Sequence, residues 1–227
     1  MIRSHTGCCI VFDLDDTLYD EIEFVRSGFQ AVADAVWARF GVDCRGLLRE
    51  RVQTRRLEGA FQAAVLAGLP AVALDFMLET YRTHRPSIKP RDGVAALLAF
   101  LKDRDGVVGC ITDGRGVTQR AKVAALGLEG VLDPLLISEE TGHAKPDPYN
   151  FREMARLVQA HTFWYVADNP LKDFVGPNAL GWTTVGIDAP RGIRQHGRAM
   201  LAPPHLPRHQ LALAEALALL SQLPLGF

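Results

Sequence analysis

Five short stretches of the chain are continuous or nearly continuous in apolar residues: Cys8–Phe12, Val107–Ile111, Leu135–Ile137, Phe163–Ala167 and Thr183–Ile187. Unbroken apolar runs of this length predict strands buried on both faces. Between the later runs lie segments with helical spacing, Val117–Leu126, Pro148–Gln159 and Asp173–Leu180. Gly127 and Gly181 follow two of them, where C-terminal caps are wanted. This alternation predicts a parallel α/β sheet with right-handed crossovers.

The stretch from Tyr19 to Pro90 breaks that rhythm. Phe24, Phe29, Val32, Val36 and Phe40 recur every three to five residues, which suits one amphipathic helix. Further helices are expected over Arg45–Arg56, Leu57–Ala67 and Ala71–His84, with Gly68, Leu69 and Pro70 as a break. A segment this long is too large for a single crossover, so it reads as a helical insert between the first two strands. Asp92–Asp103 is expected to be the helix leading back into the second strand. In the tail, Pro203, Pro204 and Pro207 precede a helix expected over His209–Leu220 that packs on the core.

The bulk numbers narrow the class. The chain has 227 residues, 48% apolar and 22% charged, the balance of a soluble globular protein, long enough for one large domain or for a core domain plus a smaller insert. A net charge of −1 supplies no basic field for nucleic acid or an anionic membrane, so any charged substrate must be handled locally. Cys8, Cys9, Cys44 and Cys110 show no disulfide or zinc spacing and read as buried thiols of a reducing compartment. The apolar run before Asp13 lacks the length and cleavage pattern of a signal peptide, and Leu211–Leu220 is too short to span a bilayer. A cytoplasmic protein without membrane or nucleic-acid partners is expected. The sequence leaves the oligomeric state open.

The chemistry sits just past the strand ends. The first run passes directly into Asp13-Leu14-Asp15-Asp16-Thr17. In a parallel sheet, ligands bind at the carboxyl ends of strands. The plain alternative is a carboxylate-rich turn capping the next helix. Other strand ends argue against it. Ile111 leads into Thr112-Asp113-Gly114, Ala167 leads into Asp168-Asn169 with Asp173 five residues beyond Asp168, and Lys145 stands before a helix between them.

Taken in order, Asp13-x-Asp15-x-Thr17, Thr112, Lys145 and Asp168-x4-Asp173 resemble the four motifs of the haloacid dehalogenase (HAD) superfamily. The resemblance covers the chain from about Ile10 to Ile187. It implies a Rossmann-like sheet of order 3-2-1-4-5, bringing Asp13, Thr112 and Asp168 to the edge where strand order reverses. It implies a catalytic core of residues 1–18 and 91–227, and an all-helical cap of the C1 type over 19–90, hinged beside Tyr19. The segment between Thr112 and Lys145 is too short for the family's larger alternative cap.

The activity implied is that of a magnesium-dependent phosphatase of small phosphorylated molecules. Asp13 is the implied nucleophile, forming an aspartyl-phosphate. Asp13 and Asp168 supply carboxylates to Mg2+, and Asp15 supplies its backbone carbonyl, since magnesium prefers oxygen ligands. Lys145 and the Thr112 hydroxyl stabilise the phosphoryl oxygens. Backbone N–H groups around Asp113 and Gly114 add donors for the substrate. Asp15 protonates the leaving oxygen and then activates water. In the family's dehalogenases and phosphonate-cleaving members that position is not Asp, so its presence favours phosphate esters. Ala167 departs from the Gly that many relatives carry there. Asp173 matches a second acid that in many members supports the metal shell without binding directly.

Two other functions fit the same residues. A phosphotransferase such as a phosphosugar mutase shares the covalent step and releases an isomer in place of free phosphate. A binding or regulatory domain with a relic site is expected to have lost one of Asp13, Asp15, Lys145 or Asp168, and all four are present. Gly114-x-Gly116 is a poor phosphate loop by itself, but its position after the second strand leaves a phosphate contribution open. Other features read as structural. His205 and His209 have Pro207 between them and no acidic partner nearby, so they read as surface. Arg51, Arg55 and Arg56 read as a solvated helix face, and Phe163–Tyr165 as core strand.

Overall fold

The computed structural model describes residues 7–52, 57–66, 68, 70, 73–188 and 202–224. Its strands are β1 (Cys8–Phe12), β2 (Val107–Thr112), β3 (Leu135–Ile137), β4 (Thr162–Ala167), β5 (Thr183–Ile187) and β6 (His209–Leu211). Its helices are α1 (Glu21–Phe40), α2 (Arg45–Arg51), α3 (Leu57–Leu66), α4 (Ala73–Thr83), α5 (Val94–Asp103), α6 (Gly116–Ala125), α7 (Ser138–Thr141), α8 (Tyr149–Val158), α9 (Val175–Ala179) and α10 (Leu213–Ser221). All strand pairs are parallel, in the order β3-β2-β1-β4-β5-β6.

The chain divides into two units. One gathers Met1–Asp20, Pro90–Gln119 and Leu128–Phe227, and the other Glu21–Lys89 with Arg120–Gly127.

In the first unit, every residue of β1 and β2 is buried, as the unbroken apolar runs require. Cys9, Val11, Val107, Ile111, Tyr165 and Ala167 pack with Phe151, Met154 and Val158 of α8 and with Phe174 and Trp182. Right-handed crossovers put α8 and α9 on that face and α5 on the other. Asp147 starts α8 by accepting the Tyr149 N–H at 2.8 Å.

The tail corrects one expectation. His209–Leu211 is a sixth strand on the edge of the sheet, and the helix begins only at Leu213. A polar clamp imposes the strand. The Thr184 hydroxyl donates to Asn178 Oδ1 (2.8 Å), and Asn178 Nδ2 donates to the Pro204 and Leu206 carbonyls (2.8 Å each). Thr184 Oγ1 in turn accepts the Arg208 N–H (2.9 Å). Gly186 admits the tail closely: a Cβ there would sit 2.6 Å from Pro207 Cγ. The expected helix over Asp173–Leu180 is likewise shorter, because Asp173 and Phe174 belong to the loop before α9.

Among its described residues the second unit contains helices α1–α4 and the later part of α6, joined by loops, and no strand. Phe29, Phe61 and Tyr81, from α1, α3 and α4, meet with ring centroids 5.6 to 6.2 Å apart. Phe24 and His84 join them. Lys122, of α6, lies with its Nζ 4.4 Å from the Phe24 ring centre. Arg51 is exposed at the end of α2, while Arg55, Arg56 and Leu69 lie outside the described residues.

Candidate active site

The register sets the site. Phe12 pairs with Cys110 of β2 on one side and with Val166 of β4 on the other. The residues that follow each strand therefore emerge side by side at the carboxyl edge of the sheet. The Asp13 N–H still reaches the Val166 carbonyl (3.0 Å), so β1 keeps its pairing up to the carboxylate.

Asp13, Asp168 and Asp173 are at most 3% exposed, and one oxygen from each lies within 4.8 Å of the other two. Lys145 enters this group from the loop before α8. Its Nζ is 2.8 Å from both Asp13 Oδ1 and Asp173 Oδ1, 3.1 Å from the Tyr165 hydroxyl and 3.4 Å from the Ile111 carbonyl. The Lys145 N–H donates to Asp113 Oδ1 (3.0 Å), which fixes the loop, and Lys172 Nζ holds Asp113 Oδ2 at 3.0 Å. Asp173 Oδ2 accepts the Asn169 N–H (2.9 Å), tightening the turn that carries Asp168.

Burial pushes the Asp13 carboxyl above the usual range, against the opposing pull of the Lys145 charge, and Asp173 pushes it further. Burial also disfavours the Lys145 ammonium, yet Asp13 and Asp173 outweigh it and hold its pKa well above that of an ordinary lysine. Three buried carboxylates face one fully buried ammonium. Oxygen donors with an excess of negative charge are what a hard divalent cation requires. These residues therefore suit the metal expected from the sequence.

On the other flank, both oxygens of Asp15 accept hydrogen bonds. Tyr19 OH donates to Oδ1, and Gln119 Nε2 donates to Oδ2 at 3.0 Å. The same Gln119 nitrogen is 2.6 Å from Thr112 Oγ1. The glycine loop is otherwise engaged. The Gly114 N–H donates to Ser138 Oγ (2.9 Å), and the Gly116 N–H to Glu139 Oε2 (2.8 Å). Of the donors expected around Asp113 and Gly114, the Gly114 N–H is directed at an α7 side chain.

Asp13, Asp15, Thr112, Asp113, Lys145, Asp168 and Asp173 therefore gather at one sheet edge. Gln119, Tyr165 and Lys172 join them without having been singled out from the sequence. Lys172 sits inside the Asp168-x4-Asp173 span, and that position was the one available hint. His205 and His209 belong to no metal-ligating group among the described residues, and the His209 ring lies against Trp164.

The chain matches the haloacid dehalogenase-like hydrolases over residues 9–176. It belongs to that family. This HAD-like hydrolase is 28% identical over 195 residues to the glyceraldehyde 3-phosphate phosphatase of Methanopyrus kandleri, covering 78% of the chain and 82% of the relative. It is 32% identical over 170 residues to the phosphoserine phosphatase of Thermus thermophilus, covering 71% and 65%. In fold it is similar to a putative beta-phosphoglucomutase from Thermotoga maritima, with a TM-score of 0.69 over 94% of this chain and 98% of that one at 16% identity. No helix among its described residues is long and apolar enough to cross a membrane.

Proposed function

We propose that this HAD-like hydrolase is a magnesium-dependent phosphatase of a small phosphorylated metabolite, working through an aspartyl-phosphate on Asp13. The observation that carries the reading is the buried contact of Lys145 with Asp13, with Asp168 and Asp173 alongside. The relatives named for glyceraldehyde 3-phosphate and phosphoserine support the substrate class.

Asp13 and Asp168 would hold magnesium through their carboxylates, with the Asp15 carbonyl as a further oxygen donor; held there, it would offset the repulsion between a carboxylate and a phosphate dianion. Lys145 balances charge on the phosphoryl oxygens, and the Thr112 hydroxyl donates to one of them. Asp173 has one oxygen on Lys145 and the other on the Asn169 N–H, so it steadies the site through Lys145.

In the first step an Asp13 oxygen bonds to phosphorus, the ester P–O bond breaks, and the leaving oxygen takes a proton from Asp15. In the second, water gives its proton to Asp15 and bonds to phosphorus. The Asp13–phosphorus bond breaks, releasing inorganic phosphate and restoring the carboxylate. Asp15 supports this reading over dehalogenation because a leaving alkoxide needs a proton donor. Helices α1–α4 serve as the cap domain in this proposal. The setting is cytoplasmic, supported by four free, buried cysteines, and neither nucleic acid nor membrane is a partner.

The test is phosphate release from p-nitrophenyl phosphate and from a panel of phosphorylated metabolites, with magnesium or with EDTA. Turnover is expected only with magnesium, and Asp13→Asn is expected to lower it by at least ~10⁴-fold. An Asp13→Asn enzyme as active as the wild type ends the proposal. Isomer formation without free phosphate indicates a phosphotransferase instead.

A further inference from the structure

Gln119 is a buried amide, 1% exposed, in the first turn of α6. In the second step Asp15 is ionised and only accepts hydrogen bonds, so the amide nitrogen is the atom that faces it. One Nε2 hydrogen then goes to Asp15 Oδ2 and the other to Thr112 Oγ1. Both donors are used, and they join the first strand end to the second.

The backbone is shaped to admit this side chain. Gly114 has φ of +141°, where L side chains are rare, and a Cβ there would lie 3.2 Å from Gln119 Cδ and 3.3 Å from Oε1. The Gly114-x-Gly116 pattern, poor as a phosphate loop, is explained in part as the seat of this glutamine.

We propose that Gln119 is a positioning residue that aims the Asp15 carboxylate and the Thr112 hydroxyl at the same phosphoryl group. This rests on the phosphatase reading above and deepens it. Tyr19 and Gln119 grip Asp15 from opposite oxygens, so the carboxylate cannot rotate away. Because Thr112 Oγ1 accepts from Gln119, its own O–H is left to donate, and a phosphoryl oxygen can take it. A carboxylate held in this way meets the attacking water in one orientation, which matters most in the second step. There the water proton passes to Asp15, the water oxygen bonds to phosphorus, and the bond from phosphorus to Asp13 breaks.

p-Nitrophenyl phosphate isolates that step, because its leaving group departs without a proton. Rapid-quench measurement separates formation of the phosphoenzyme from its decay. Gln119→Met keeps the side-chain length and removes both donors. It is expected to slow phosphoenzyme decay roughly tenfold and to slow its formation from p-nitrophenyl phosphate by clearly less, since only the Thr112 hydroxyl serves that step. With an alkyl phosphate, whose leaving oxygen needs the Asp15 proton, formation is expected to slow as well.

Gln119→Glu places an acceptor against Asp15 and is expected to slow decay at least as much, which keeps the test usable should the methionine variant fold poorly. Equal losses in formation and decay, or unchanged decay, overturn the inference. Asp15→Asn is the control. If it slows decay and Gln119→Met does not, only the role of Gln119 falls. If the wild-type enzyme forms no phosphoenzyme, the phosphatase reading itself falls.

Discussion

The α/β unit and the helical unit both bury unusual groups, and they do so by opposite means. The α/β unit encloses Asp13, Asp168, Asp173 and Lys145, charges that are costly to bury, and Lys145 pairs with both Asp13 and Asp173. The helical unit encloses the rings of Phe29 and Phe61, which carry no polar group, packed with Tyr81, and it admits His84 at the margin of that cluster. The contrast teaches that a buried charge cluster implies chemistry, since area alone is better gained with rings. The aromatic cluster implies nothing beyond stability.

The sharpest way to break this comparison is to remove the ammonium. Lys145→Met leaves Asp13 and Asp173 buried and facing each other. Phosphatase turnover is expected to disappear, and chemical denaturation is expected to show a loss of ~3–5 kcal/mol. A variant that stays as stable as the parent contradicts the claim that these charges depend on each other. Next in size is Phe61→Ala in the helical unit. It empties the centre of the ring cluster and is expected to cost ~3–5 kcal/mol by the same measurement, through the cavity alone.

The smallest effect is titration of His84. Its Nδ1 is 2.7 Å from the Tyr81 carbonyl, and burial lowers its pKa from 6.5. A depressed histidine favours the folded state while neutral. Its contribution is complete above pH 6.5 and is lost as pH falls through the lower folded-state value. Thermal melts of the parent are expected to decline below pH 6.5 more steeply than those of His84→Phe. Parallel declines in the two proteins refute this role.

What could be read from the sequence was whatever is local. Asp13, Thr112 and Asp168 each follow an apolar run directly, so strand and reactive group are adjacent in the chain. Helix α1 declared itself through the spacing of Phe24, Phe29 and Val36. Gln119 could not be found this way, because its partner Asp15 lies 104 residues away and only the strand order brings them together. Lys172 and Asp113, 59 residues apart, meet for the same reason. Tyr165 was correctly expected in the core, yet its hydroxyl reaches Lys145, a polar function that an apolar pattern cannot reveal. Strand β6 is three residues long, too short for any periodicity, and the Ala- and Leu-rich helix behind it masks its start.

That last strand also closes off one border of the sheet. A long bare β5 border would present a row of unpaired amides and carbonyls on which another polypeptide could grow. Here the border ends in three residues, with Pro207 just ahead and α10 just behind, so a second chain finds almost no template. Loosening the tail from Asn178 and Thr184 would therefore show itself first as self-association, before any fault in catalysis.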